Sequence, residues 1–185
     1  SNVAGKFTIT SNSTSYVTVA TGYTQTVEAN KAYTFTINGV KAGSGTITVA
    51  FAPTDSKNYT APANKTVNVT VDRATIANVP SQSGTLTYNG NAQSPSWNNY
   101  DSVKMTIGGT TSGTNVGTYA ATFTPTSNYK WSDGTTTAKT VNWSIGKLVV
   151  TKPTAKTNLT YTGSSITGVT FSTGVGYSVK SGSTA

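Results

Sequence analysis

Residues 45–59, GTITVAFAPTDSKNY, and residues 117–129, GTYAATFTPTSNY, are two spellings of one pattern. In the first, Ile47, Val49 and Phe51 alternate with Thr48 and Ala50; in the second, Tyr119, Ala121 and Phe123 alternate with Ala120 and Thr122. A side-chain period of two is what a pleated strand with one covered and one wet face requires. Each run stops at a proline, which has no amide hydrogen to continue a ladder. The glycines that open the runs, Gly45 and Gly117, and the prolines that close them, Pro53 and Pro125, are 72 residues apart, whereas Tyr59 and Tyr129 are 70 apart. The following stretches, KTVNVTV (65–71) and KTVNWSI (139–145), are 74 apart. The length changes fall between strands, where loops absorb them cheaply.

A second match sets the period. LTYNG (86–90) returns as LTYTG (159–163), and Pro80 returns as Pro153, every offset being 73. A fixed internal period identifies a repeat architecture, so three copies are expected: 1–73, 74–146 and an incomplete third, 147–185. Further strands are expected where Tyr33, Phe35 and Ile37, then Val67, Val69 and Val71, then Val103, Met105 and Ile107, then Val141, Trp143 and Ile145 alternate with polar neighbours. No window carries a helical stripe of useful length. Asn38-Gly39, Asn89-Gly90 and Asp133-Gly134 have the chemistry of tight hairpins. Short antiparallel strands in copies of this size predict an all-β chain of tandem immunoglobulin-like β-sandwich domains. An up-and-down barrel spanning two copies is the alternative, but it does not explain why the pattern restarts at residues 74 and 147. The joints, VDRAT and IGKLV, leave two or three residues between copies, which favours a semi-rigid rod.

Composition removes most chemistry. The 185 residues include no cysteine and no histidine, the commonest thiol nucleophile, general base and transition-metal ligands. The five carboxylates, Glu28, Asp55, Asp72, Asp101 and Asp133, stand apart and do not recur with the repeat. No catalytic residue, metal or cofactor is therefore expected. The formal net charge is +8, but Arg73 is the only arginine among thirteen basic residues. Specific nucleic-acid recognition draws on clustered arginines, so the scattered lysines read first as solubility and protection of edge strands, with loose attraction to an anionic surface as the alternative. No apolar run is long enough for a membrane span, and no membrane insertion is expected. The opening, SNVAGKFTIT, reads as a cut inside a longer protein. The third copy ends at Ala185, before its equivalents of the strands at 117 and 139, so Leu159 and Tyr161 should stand uncovered unless further chain or a neighbouring molecule completes the unit.

The aromatic residues divide. Phe35, Phe51, Tyr119, Phe123 and Trp143 fall on the inward phase of their strands and are expected in the core. Tyr59 and Tyr129 follow matching Pro-Thr turns, where a tyrosine hydroxyl can pin its loop. SWNNYD (96–101) has no alternation. Trp97, Asn98, Asn99 and Tyr100 are the candidate ligand-binding residues, a sugar-stacking platform; the competing reading is a loop tryptophan that covers the end of a small core.

SGTLTYNGNAQSPSW (83–97), GTTSGTNVGTYAATFTP (109–125), NYKWSDG (128–134) and KTVNWSIGK (139–147) together resemble the bacterial Ig-like repeats of the Big and MBG types. AGSGTITVAF (42–51) in the first copy is similar to the Big_2 variety. The resemblance implies a non-enzymatic, extracellular spacer or display module of a phage virion (tail, fibre or decoration) or a bacterial surface filament. Its partners would be other copies or subunits of that assembly and cell-surface polysaccharide. The alternative is an adhesin with a specific carbohydrate- or protein-binding site. The resemblance supplies no site residues, because such families share a scaffold and not an active site.

Overall fold

The computed structural model describes residues 2–19, 23–165 and 169–170, and among them every regular element is a β-strand. In the first unit these are β1 (Gly5–Ser11), β2 (Val17–Val19), β3 (Thr24–Val27), β4 (Ile37–Gly39), β5 (Gly43–Pro53) and β6 (Lys65–Val71). One sheet runs β3-β1-β5-β6, antiparallel throughout, and β2 pairs with β4 apart from it. The second unit holds β7 (Ala74–Ile76), β8 (Ser81–Ser83), β9 (Leu86–Thr87), β10 (Ser96–Asn98), β11 (Met105–Gly109), β12 (Gly117–Pro125), β13 (Tyr129–Trp131) and β14 (Lys139–Gly146). Its main sheet runs β11-β12-β14-β9, with β9 parallel to β14. β8 pairs with β10, and β7 runs parallel to β13. Beyond them, β15 (Thr154–Ala155) pairs with β16 (Val169–Thr170).

The two matched stretches form matched strand pairs with a shifted register. Gly45 faces Val69 across β5 and β6, whereas Gly117 faces Ile145 across β12 and β14, and Ile145 is the counterpart of Val71. The step from an offset of 72 to one of 74 in the sequence only lengthens the connection between the strands, and the slide of two residues is additional to it. An even slide keeps every side chain on its original face, so it is tolerated where a slide of one would not be.

On the inward phase of the second unit, Ala121 and Phe123 are fully enclosed, with Met105, Trp131, Trp143 and Ile145 at about the same level and Ile76 beside them. Both buried indoles satisfy their N–H: Trp143 Nε1 donates to the Thr110 carbonyl at 2.7 Å and Trp131 Nε1 to the Thr137 carbonyl at 2.8 Å. Tyr119 stacks on Trp143 with centroids 4.5 Å apart, and its hydroxyl donates to the Asn115 carbonyl at 2.6 Å. Gly113 lets that ring lie close, since a Cβ there would stand 2.4 Å from Tyr119 Cζ.

Several expectations are corrected. Tyr33 and Phe35 lie outside any strand and are 38% and 37% exposed; only Ile37 of that run enters a ladder. Phe51 is half-buried against Phe7, 5.0 Å away. Val103 sits in the turn before β11 and is exposed. Asn38-Gly39 is part of β4, opposite Thr18 and Val17, and the glycine serves close packing, because a Cβ there would meet Val71 at 2.9 Å. Asn89-Gly90 does turn, with Gly90 at φ +81°, but β9 leads on to a pairing with β14 and not to a hairpin partner. Asp133-Gly134 forms a tight turn: Gly134 has φ +84°, its N–H donates to the Trp131 carbonyl at 2.9 Å, and Trp131 N–H donates to the Thr135 carbonyl at 2.8 Å. Tyr59 and Tyr129 hold their turns through backbone N–H groups, bonded to the Asp55 and Thr126 carbonyls at 3.0 and 2.9 Å, whereas Tyr119 pins its neighbouring loop by its hydroxyl. In the third stretch Leu159 and Tyr161 are exposed.

Phe123→Ala and Trp143→Ala are each expected to destabilise the second unit by roughly 3–5 kcal/mol, and Thr122→Ala on the opposite face by less than about 1 kcal/mol. Urea unfolding followed by tryptophan fluorescence measures the difference, and equal losses at Thr122 and Phe123 would contradict the strand phase.

Candidate functional site

β10 is too short to hold itself in place, and a side chain supplies the missing ladder. Across from Trp97, Gln82 of β8 donates through Nε2 to the Ser144 carbonyl at 3.2 Å and accepts from Ser144 N–H at 2.9 Å, as a strand backbone would. The β8-β10 pair is thereby fixed to β14. Trp97 turns inward and meets Phe123 edge-on, with centroids 4.9 Å apart and planes at 80°. Asn99 then adopts a left-handed backbone, φ +61°, which asparagine tolerates better than most residues. The reversal brings Tyr100 back over Phe123 at 5.8 Å.

Asp101 closes the turn. Its Oδ1 accepts from Val103 N–H at 2.9 Å, its carbonyl accepts from the N–H groups of Lys104 and Met105, and Lys104 Nζ lies 3.1 Å from Oδ2. These contacts place Asn99, Tyr100, Asp101 and Lys104 beside Thr75 and Asn78 around a shallow cleft of ≈ 410 Å³. The structure thus divides the four predicted residues. Asn99 and Tyr100 line the cleft, whereas Trp97 is a lid on the core and Asn98 lies exposed in β10. Asp101 and Lys104 were legible only as a charged pair three residues apart. The cleft offers amide, hydroxyl, carboxylate and ammonium groups for hydrogen bonding. No group of three or more metal-ligating side chains occurs among the described residues.

Two other clefts were missed by sequence reasoning. One, of ≈ 270 Å³, lies in the first unit between the face of β1, β3 and β5 and the segment 31–35. The second, of ≈ 360 Å³, lies where the units meet, between Gly43, Asp72 and Arg73 on one side and Lys130 and Gly134 on the other. Comparison with known proteins finds no match to this chain among protein-family models, curated proteins or solved structures.

Another charged arrangement stands beside the joint, in the Asp133 turn. Lys139 Nζ donates to Asp133 Oδ2 at 2.6 Å and lies 5.4 Å from the centre of the Trp131 ring, while Thr135 donates to Oδ1 through its hydroxyl at 2.6 Å and its N–H at 2.9 Å. The Lys139 hydrogen bond first, then those from Thr135, hold the Asp133 carboxyl well below the usual carboxylate range. Asp101 is lowered by Val103 N–H and Lys104, and Asp55 by hydrogen bonds from Asn58. A carboxylate with a depressed folded value contributes stability above its unfolded value, about pH 4, and loses it as pH falls towards the folded value. Carboxyl NMR titration is therefore expected to find Asp133 ionised well below pH 4, and Lys139→Met to raise its titration midpoint; an unchanged midpoint would show that Lys139 is not the principal cause. Trp97→Ala is expected to lower the melting temperature and Asn98→Ala to leave it unchanged, as scanning calorimetry would record.

Proposed function

We propose that the chain is a non-enzymatic structural module, built of tandem Ig-like β-sandwich units, that spaces or displays parts of a phage virion or a bacterial surface filament. The observation that carries this reading is the joint between the first two units. Only Asp72 and Arg73 separate β6 from β7. Arg73 Nε donates to the Ser127 carbonyl at 3.0 Å, Ala74 N–H donates to the Asn128 carbonyl at 2.9 Å, and Asn128 Oδ1 accepts from Ala42 N–H at 3.0 Å. One short loop of the second unit is thus bonded both to the connecting chain and to the turn that opens β5. Bending the joint breaks the Ala42–Asn128 hydrogen bond between the units and disturbs that of Arg73 in the connection, a property suited to a spacer. The outward faces of the long strands, rich in threonine, keep such a rod soluble. Its partners would be other copies or subunits of the assembly, outside the cell, and its net charge of +8 would give loose, salt-sensitive attraction to anionic host polysaccharide.

Asn128→Ala is expected to free the joint while leaving both units folded. Residual dipolar couplings measured on the two units should fit one common alignment in the parent chain and two different alignments in the variant. Independent alignments in the parent chain would remove the support for a rod.

A further inference from the structure

We propose that the first unit binds carbohydrate, with a single pyranose ring seated in the cleft between the segment 31–35 and the face of β1, β3 and β5. Phe7, Ile9 and Val49 form its apolar floor, and Tyr23, Tyr33 and Phe35 its aromatic walls. Tyr33 and Phe35 are 38% and 37% exposed, and Phe35 meets Tyr23 at 6.1 Å with planes tilted by 52°, so two rings make a corner open to water. The segment that presents them has the alternation of a strand but joins no ladder. A sequence that breaks its own local rule to keep aromatic rings at the surface is a sign of a site.

The walls are held in place without a ligand. Tyr33 Oη accepts from Glu28 N–H at 3.0 Å, Tyr23 Oη donates to the Thr34 carbonyl at 3.2 Å, and Lys31 pairs with Glu28. Each contact leaves hydrogen-bonding capacity at the rim. The Tyr33 hydroxyl keeps its proton to donate, the Tyr23 hydroxyl keeps its lone pairs, and Gln25, which gives one N–H to the Thr26 carbonyl at 3.0 Å, keeps its own side-chain carbonyl. A pyranose has the matching character: C–H groups on its faces for the aromatic rings, and hydroxyls around its edge for these polar atoms. At ≈ 270 Å³ the cleft is just below the roughly 300–1,000 Å³ typical of drug-sized ligand pockets, which favours one ring over a long occupant. A proline-rich peptide would need several pockets along an extended groove. No carboxylate lines the cleft, so it binds a glycoside without the acid and base needed to cleave one. The cleft lies wholly within the first unit, so the proposal does not depend on the joint.

The test is an amide-shift NMR titration of the intact chain with three probes: the β-1,4 trisaccharide of N-acetylglucosamine, maltotriose and a polyproline peptide. At least one sugar is expected to shift the amides of Tyr23, Gln25, Tyr33 and Phe35, with a Kd on the order of millimolar. Tyr33→Ala and Phe35→Ala, both on exposed rings outside the ladders, should weaken binding about tenfold or more. Tyr33→Phe should weaken it less, and Tyr88→Ala in the second unit should leave it unchanged. Thermal melts confirm that each variant is folded, and shift mapping on the parent chain stands even if one is not. Shifts confined to the Asn99-Tyr100 cleft, binding of the peptide but neither sugar, or no shift with any probe would each overturn the proposal.

Discussion

Phe123, in the middle of β12, is fully enclosed, and the second unit is arranged around that enclosure. Its strand is central, between β11 and β14, so backbone pairing covers both of its edges and only the two faces remain to be closed. Trp97 and Tyr100 both lie against the Phe123 ring on the covered face. Trp97 is partly buried by its packing against the core. Of SWNNYD, it is the turn after Trp97 that reaches the cleft, through Asn99 and Tyr100.

The first unit repeats the matched strand pair with smaller fillers. At the repeat's own spacing, Trp143 corresponds to Val69 and Trp131 to Ala61. A buried tryptophan removes roughly 150–250 Å² from water, and the first unit lacks both. Phe51, the counterpart of Phe123, is left half-buried with Phe7 beside it. The strand beside β5 is also a different one: β1, from the start of the unit, occupies the edge that β11 occupies beside β12. The segment 31–35 lies over the sheet outside any ladder, and the space beneath it is the cleft.

What could be read from the sequence was local. The phase of β5, β6, β12 and β14 was legible from alternation. The identity of the neighbours was not. Tyr33 and Phe35 alternate as a strand would, but a period of two describes any extended segment, and whether it gains a partner depends on strands far away in the chain. Asn38-Gly39 failed for a related reason. Asn-Gly is a turn signal only when nothing larger is at stake, and here the absence of a Cβ is used to admit Val71. The Gln82 clamp and the cleft around Asp101 and Lys104 depend on contacts between distant segments that no short window contains.

The joint shows how a small local change is turned into geometry. TDSKNY (54–59) in the first unit is matched by TSNY (126–129) in the second, two residues shorter. In the longer turn, Asp55 is present and occupies its asparagine: Asn58 Nδ2 donates to Asp55 Oδ2 at 2.7 Å and Asn58 N–H to Oδ1 at 3.1 Å. In the shorter turn the aspartate is gone, and the corresponding Asn128 directs Oδ1 to Ala42 N–H of the preceding unit. The same position is a turn-former in one copy and a link between copies in the other. The carboxylate of the longer turn engages the donors of Asn58, whereas in the shorter turn Asn128 uses its acceptor, and that acceptor reaches the preceding segment.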